Sequence, residues 1–550
     1  MRKTRILIAN DFSLLGTGYG VYGKELLTRL HNTGKYEIAE IGCYTSLDNL
    51  KIKDLLWKVY PNAPSSKDPE DQKKKYGSSP ANAFGSWRFN QILLHFKPDI
   101  VFDMRDYWMY AYQEISPFRQ FFRWVVMPTV DSAPQKPEWL DTFSNMDVVI
   151  PYTDWAKQTL ENQCGNKINL FPDIANAGVD LETFVPPKNK KDLQKEIFGK
   201  EVSITGAVMR NQKRKLFPDL FAAYRAYLDK LLSEGKTELY NKSYLYLHTS
   251  YPEHAGWDIP SLLIEHKLTD KVYFTSICSK CQAVYPTKFH EPITKCEICD
   301  SPTCYLTNAT NPAPTAALIS IYQTFDFFLQ VAICEGFGMP QVEAASCGIP
   351  IASVDYSAMT EIVRKLKGYS IPVERLYREM ETGADRAYPK INAITEILYD
   401  YFVSKSEEDR NSMSKQTRSL CEKYYSWDLV ADVWDRAFDT ADISCNLAWD
   451  SPKREINNDI SVPHQKNVVE FIEFIIKEII REPYLLKTSP IKKLIKDFTN
   501  GYSVAMRSHV QSMTPELVVK QLEQYMNGKS IYEAIRQNPT KLFQEPYLNV

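Results

Sequence analysis

Apolar residues gather along this chain in short continuous runs rather than in strict alternation. RILIA (5–9), DIVF (99–102), WVVM (124–127) and VVIP (148–151) come first; SITGAV (203–208), YLYLH (244–248), VYFT (272–275), FFLQVA (327–332) and IPIASV (349–354) follow. Runs of this kind predict strands buried on both faces, as in parallel α/β sheets. Stretches of helical period, such as KELLTRL (24–30) and FPDLFAAYRAYLDKLL (217–232), lie between them. The predicted class is α/β, with two doubly wound, Rossmann-like domains in series.

Proline- and lysine-rich VPPKNKKDLQKEIFGK (185–200) interrupts the pattern and is the expected linker, dividing 1–190 from 191–440. The polar stretch 62–86 reads as an exposed loop. After about residue 441 strands give way to helical segments: VVEFIEFIIKEII (468–480), then a helix opened by Thr514-Pro515-Glu516 and closed by Asn527-Gly528. Residues 441–550 are therefore expected to form a helical extension.

Composition narrows the class. At 550 residues the chain needs more than one core, and 44% hydrophobic with 24% charged residues is ordinary for a globular protein. A formal charge of −2 gives no global basic footprint for nucleic acid. The N-terminus does not read as a signal peptide, no apolar run is long enough to span a bilayer, and the cysteines do not form a disulfide scaffold. A reducing, cytoplasmic setting is the expectation.

Two glycine-rich turns carry candidate chemistry. After the first strand, Gly16, Gly18 and Gly20 precede a helix whose backbone N–H groups can receive a phosphate or sugar oxygen, although the spacing is not that of a dinucleotide fingerprint. The second turn, CEGFGMPQVEAASCGIPIA (334–352), ends a buried strand on Glu335, passes Gly336-Phe337-Gly338 and enters a helix at Pro340. In an open α/β sheet ligands bind beyond the carboxyl ends of the strands. Glycines there let a ligand approach the main chain, and the carboxylates of Glu335 and Glu343 can accept from a polyol's hydroxyls.

EGFGMPQVEAASCGIPIAS resembles the E-x7-E signature of the retaining, nucleotide-sugar-dependent glycosyltransferases of family four, which have the GT-B fold. ANAGVDLETFVPP (175–187), GAVMRNQKRKLFPDLFAAY (206–224), HTSYPEHAGWDIPSLL (248–263) and YSWDLVADVW (425–434) resemble further family segments in the right order, so the similarity spans roughly residues 4–440. The resemblance implies an acceptor-side domain at 1–190 and a nucleotide-sugar-binding domain at 191–440. It implies that Glu343 holds the ribose, that Glu335 and the backbone of Gly336, Phe337 and Gly338 hold the transferred sugar, and that Arg210 and Lys215 grip the diphosphate. Gly16 and Gly18 join the donor site. The YSWDLVADVW helix is implied to return to the first domain. Where the family often has a histidine near the sugar, this chain has Asp131. The sequence holds no convincing Asp-x-Asp site, so protein cations rather than a catalytic divalent metal are expected to neutralise the diphosphate.

One insertion departs from that pattern. Cys278-x-x-Cys281 and Cys296-x-x-Cys299 have the spacing of a tetrahedral Zn²⁺ site, so residues 276–305 are expected to form a structural zinc ribbon. The ribbon can serve acceptor recognition, partner docking or loop stapling. The acceptor stays open among glycan, small molecule, protein and nucleic acid. A polymer-contacting ribbon on a DNA- or RNA-modifying enzyme, and a GT-B-derived binding protein without catalysis, are the alternative readings. The aromatics of DYWMYAY (106–112) can stack either bases or sugars.

Overall fold

The computed structural model describes residues 2–449 apart from 117, 291–292 and 309–311, and, from the tail, 473, 476–477, 483–489, 491–492 and 495. The helices expected at 468–480 and 514–528 fall almost entirely outside these residues.

The first sheet consists of β1 (Thr4–Asp11), β2 (Tyr36–Cys43), β3 (Lys58–Pro61), β4 (Ile100–Asp103), β5 (Arg123–Val126) and β6 (Val148–Val149), in the spatial order β3-β2-β1-β4-β5-β6 and parallel throughout. The second consists of β7 (Ser203–Val208), β8 (Ser243–His248), β9 (Val272–Cys278), β10 (Val284–Thr287), β11 (Cys304–Leu306), β12 (Phe327–Gln330), β13 (Ile351–Val354) and β14 (Tyr369–Ile371). Its parallel part runs β9-β8-β7-β12-β13-β14 and repeats the same winding. Each sheet reverses its strand order beside its first strand, which puts a ligand crevice beyond β1/β4 in one domain and β7/β12 in the other. Continuous apolarity has its expected cause: Ile6, Leu7, Ile8 and Ala9 of β1, and Phe327, Phe328 and Leu329 of β12, are all fully buried.

Three regions differ from expectation. Strand β2, YEIAEIGC, has a fully buried acid, Glu40, which is held by the backbone N–H and hydroxyl of Ser13 and the indole N–H of Trp57. Burial pushes its carboxyl up to about 7, against the lowering hydrogen bonds. The stretch expected as loop at 62–86 contains the helices Glu70–Gly77 and Pro80–Ala83. The expected linker is loop only to Asn189, which caps the helix Lys190–Phe198 through its side chain; Gly199 ends that helix in the left-handed conformation.

The helix Trp427–Thr440 crosses back to the first domain. Trp434 donates to the Tyr22 hydroxyl at 2.8 Å, Tyr36 donates to Asp435 at 2.5 Å, and Arg29 pairs with Asp428 at 2.6 Å. A two-stranded hairpin, β15 (Val373–Arg378) and β16 (Asp385–Pro389), also reaches across: Asp385 N–H donates to Ala133 O at 2.8 Å and the Lys136 ammonium to Glu381 O at 2.6 Å. Among the described residues no helix is long and apolar enough to cross a membrane.

Candidate active site and metal centre

The loop after β7 is fastened along the end of β12. Ile333 N–H donates to Arg214 O at 3.0 Å, and Lys215 and Ala332 form an antiparallel bridge. This places both basic side chains on Glu335. Its Oε2 accepts from Arg214 at 2.6 Å, and its Oε1 accepts from Gln330 at 2.7 Å and from the Lys215 ammonium. Glu335 and Lys215 are buried, whereas Arg214 remains partly exposed. Burial, with Arg214 alongside, moves the Lys215 amine well below its ordinary value. Its proton is therefore best kept while an anion stands against it.

Arg210 does not join this group. It lies at the surface in a two-bond pair with Glu253, at 2.8 and 2.9 Å. Arg214, which sequence reasoning passed over, occupies the place beside the carboxylate. The crossing of the loop onto β12 decides between them, and no local pattern in RNQKRK reports it.

Glu335 and Glu343 do not touch. The helix Met339–Ser346 begins after Gly338, whose φ of 98° suits glycine, and carries Glu343 toward Tyr322, whose hydroxyl donates to it at 2.6 Å. Burial raises the Glu343 carboxyl, and that hydrogen bond works the other way. Gln341 in the helix's first turn is fully buried, with neither amide atom hydrogen-bonded among the described residues.

The first domain supplies the facing wall. An added Cβ on Gly336 would stand 2.4 Å from Thr129 Cγ2, and one on Gly18 would stand 3.8 Å from Met339 Sδ. Phe337 is buried, with its ring stacked on Tyr152 at 5.4 Å. In the first glycine-rich turn, Gly16 faces open space, whereas an added Cβ on Gly20 would stand 2.5 Å from Leu15 O. Asp131 forms an ion pair with Arg386 of β16 at 3.1 Å and accepts from the Cys334 thiol at 3.2 Å. Arg386 also pairs with Glu379 at 2.8 Å. Near Asp131, burial and that acid's charge push the Asp106 carboxyl up to about 7.

The four predicted cysteines converge. All four Sγ atoms lie within 4.8 Å of one another, with Cys278–Cys299 and Cys281–Cys296 both at 3.7 Å. A tetrahedron of thiolates about 2.3 Å from zinc has an edge of about 3.8 Å. The separations are too long for disulfides and fit the metal. Strand β9 runs from the parallel sheet directly into this unit, where β10 and β11 pair antiparallel with it.

Residues 307–382 match the family model described as Glycosyl transferases group 1. No curated protein matches the chain in sequence. Similar solved structures include sucrose-phosphate synthase from Thermosynechococcus elongatus, at 15% identity and a TM-score of 0.54, covering 80% of this chain and 98% of that one. An E. coli structure titled trehalose-6-phosphate, bound with UDP-2-fluoro glucose, aligns at 14% identity and a TM-score of 0.53, over 80% and 99% of the two chains. Anabaena HepE in complex with UDP-glucose aligns at 10% identity and a TM-score of 0.53, over 79% and 99%. The chain thus has the GT-B fold and carries a region of the group 1 glycosyl transferase type.

Proposed function

We propose that this protein is a retaining glycosyltransferase that moves a sugar from a nucleotide-sugar donor to an acceptor hydroxyl. The observation that carries the reading is the Glu335 carboxylate held between Arg214 and Lys215 at the β7/β12 crevice, opposite Thr129 and Asp131. In the working complex the donor diphosphate takes up Lys215 and Arg214, with Arg210 released from Glu253 to join them. Fixed cations at that point stabilise the charge that grows on the leaving diphosphate as the glycosidic bond breaks. Glu343 holds the ribose hydroxyls; Glu335 and the amides from Gly336 to Gly338 hold the sugar. The buried, unpartnered amide of Gln341 supports a polar ligand at the head of this helix.

Asp131, fixed by Arg386, faces the transferred sugar and stabilises positive charge developing at the anomeric carbon. In a front-face transfer the leaving phosphate oxygen takes the acceptor's proton, so no enzymic nucleophile is needed. Cys278, Cys281, Cys296 and Cys299 hold a structural zinc, whose chemistry is to close the ribbon.

UDP-glucose, present with the Anabaena relative, is the first donor to test, in a thermal-shift panel with varied base and sugar. A hundredfold excess over Kd stabilises the native state by about 2.7 kcal/mol. The expected result is a donor that shifts the wild type and not Glu343→Ala, and whose transferred product keeps its anomeric configuration by NMR. A panel without any shift, or an inverted product, overturns the reading.

A further inference from the structure

Two large aromatic side chains stand exposed where the first domain's strands end toward the cleft. Tyr44 follows β2 directly and is 48% exposed; Trp108 follows β4 and is 53% exposed. Tyr44 takes a φ of 63°, which a bulky side chain rarely adopts, and its ring meets Phe84 edge-on at 6.2 Å. A fully buried ion pair sets both rings in place. Arg105 forms two hydrogen bonds with Asp103, at 2.9 and 2.6 Å, and spends its remaining N–H groups on Cys43 Sγ, Phe84 O and Met109 O. The cation that ties the two loops together is therefore used up within the protein.

Two carboxylates lie on or beside the loops that carry these rings. Asp11 at the end of β1 stands in register with Cys43, the residue before Tyr44. It is nine-tenths buried: Oδ2 accepts from Thr17 at 2.8 Å, but Oδ1 has no partner among the described residues. Asp106 lies two residues before Trp108, and the charges of Asp131, Arg214 and Arg105 act on it.

We propose that Tyr44 and Trp108, with Asp11 and Asp106, form the acceptor subsite of this enzyme, and that it takes a neutral saccharide. The proposal rests on the glycosyl-transfer reading and names its substrate class. A pyranose presents an apolar C–H face and a rim of hydroxyls. Rigid aromatic faces bind the first at low entropy cost, while carboxylate oxygens accept from the second. The unpartnered Asp11 Oδ1 gains its missing hydrogen bond. A phosphorylated sugar or a nucleic acid would set its phosphates against Asp11 and Asp106, with Arg105 committed to Asp103 and Arg214, the other cation acting on Asp106, committed to Glu335.

The test is saturation-transfer NMR on the full chain with methyl α-glucopyranoside, maltose and glucose 6-phosphate, run beside the UDP-glucose thermal shift. The expected result is saturation of the two neutral sugars, affinity about tenfold weaker in Trp108→Ala, and recovery in Trp108→Phe. Unchanged far-ultraviolet circular dichroism and thermal midpoint show that the alanine variant is folded. Three results overturn the subsite: no saturation of either neutral sugar, undiminished binding in Trp108→Ala, or tighter binding of glucose 6-phosphate. Sugar binding that depends on Trp108, in a protein that no nucleotide sugar stabilises, supports the subsite and removes the glycosyl-transfer reading.

Discussion

Gly336→Ala tests whether the two domains meet where the structure places them. Gly336 does not use left-handed backbone, so alanine is conformationally acceptable there. Its methyl group would nevertheless stand 2.4 Å from Thr129 Cγ2. Carbon atoms in contact prefer about 3.5–4.0 Å, so the walls must part by more than about 1 Å. Overpacking of this kind costs about 1–3 kcal/mol. For domains of this size each kcal/mol lowers the thermal midpoint by about 2–4 °C. Thr129→Ser removes the offending methyl and leaves Cβ at 3.9 Å, an ordinary contact. It also keeps the hydroxyl that shares a 3.1 Å hydrogen bond with Tyr19.

The double variant should therefore recover most of the lost midpoint, giving a coupling energy of about 1 kcal/mol or more in a double-mutant cycle by differential scanning fluorimetry. UDP-glucose affinity, measured alongside, should follow the same pattern. An unchanged midpoint in Gly336→Ala, or additive single effects, would refute the reasoning. Weakened donor binding at full stability, indifferent to Thr129, would mean that the glycine serves the ligand's approach instead.

Elemental analysis should find one zinc per chain; Cys296→Ser should abolish it and lower the thermal midpoint, and metal-free protein of unchanged midpoint would contradict the ribbon assignment. Arg214→Ala should slow transfer at least as much as Arg210→Ala, because it also uncovers the buried Glu335 carboxylate. Full activity in Arg214→Ala would remove that residue from the site. His248, bonded through Nδ1 to Thr275 at 2.9 Å, is lowered by burial to about 4. Unfolded histidine takes its proton near pH 6.5, so this residue's contribution is present above that pH and lost as pH falls toward about 4. Urea midpoints across that window should therefore fall less steeply in His248→Gln than in the wild type; an equal slope would sink the assignment.

The strands that the sequence revealed most plainly are those buried on both faces, where Ile, Leu, Val and Phe run without interruption, as in RILIA and SITGAV. Strand β2 was illegible because Glu40 interrupts it, and the partners that make a buried acid tolerable, Ser13 and Trp57, lie elsewhere in the chain. The hairpin β15–β16 hid for a related reason: VERLYR is mostly exposed and, among the described residues, pairs only with its own return strand. The helices within 62–86 have no strong apolar face, so periodicity could not report them. At the site, residue types and order along the chain located Lys215 and Glu335, and the structure brings these together. Register decided the rest: which arginine meets the carboxylate, and the turn of helix that separates Glu343 from Glu335. The cysteine unit was the most legible part, because a metal's geometry constrains spacing directly.

Strand β9 belongs to two bodies at once: residues 245–247 pair with its first half, while β10 and β11 cover its second. A zinc held by the four cysteines would therefore do more than fold a loop. It would hold a cover over the outer border of a parallel sheet, and an uncovered border of unpaired N–H and C=O groups is a template for another copy. Starved of zinc, this protein should fail by self-association before it fails by losing its sugar site, and light scattering should rise on chelation while donor binding persists in the remaining soluble fraction.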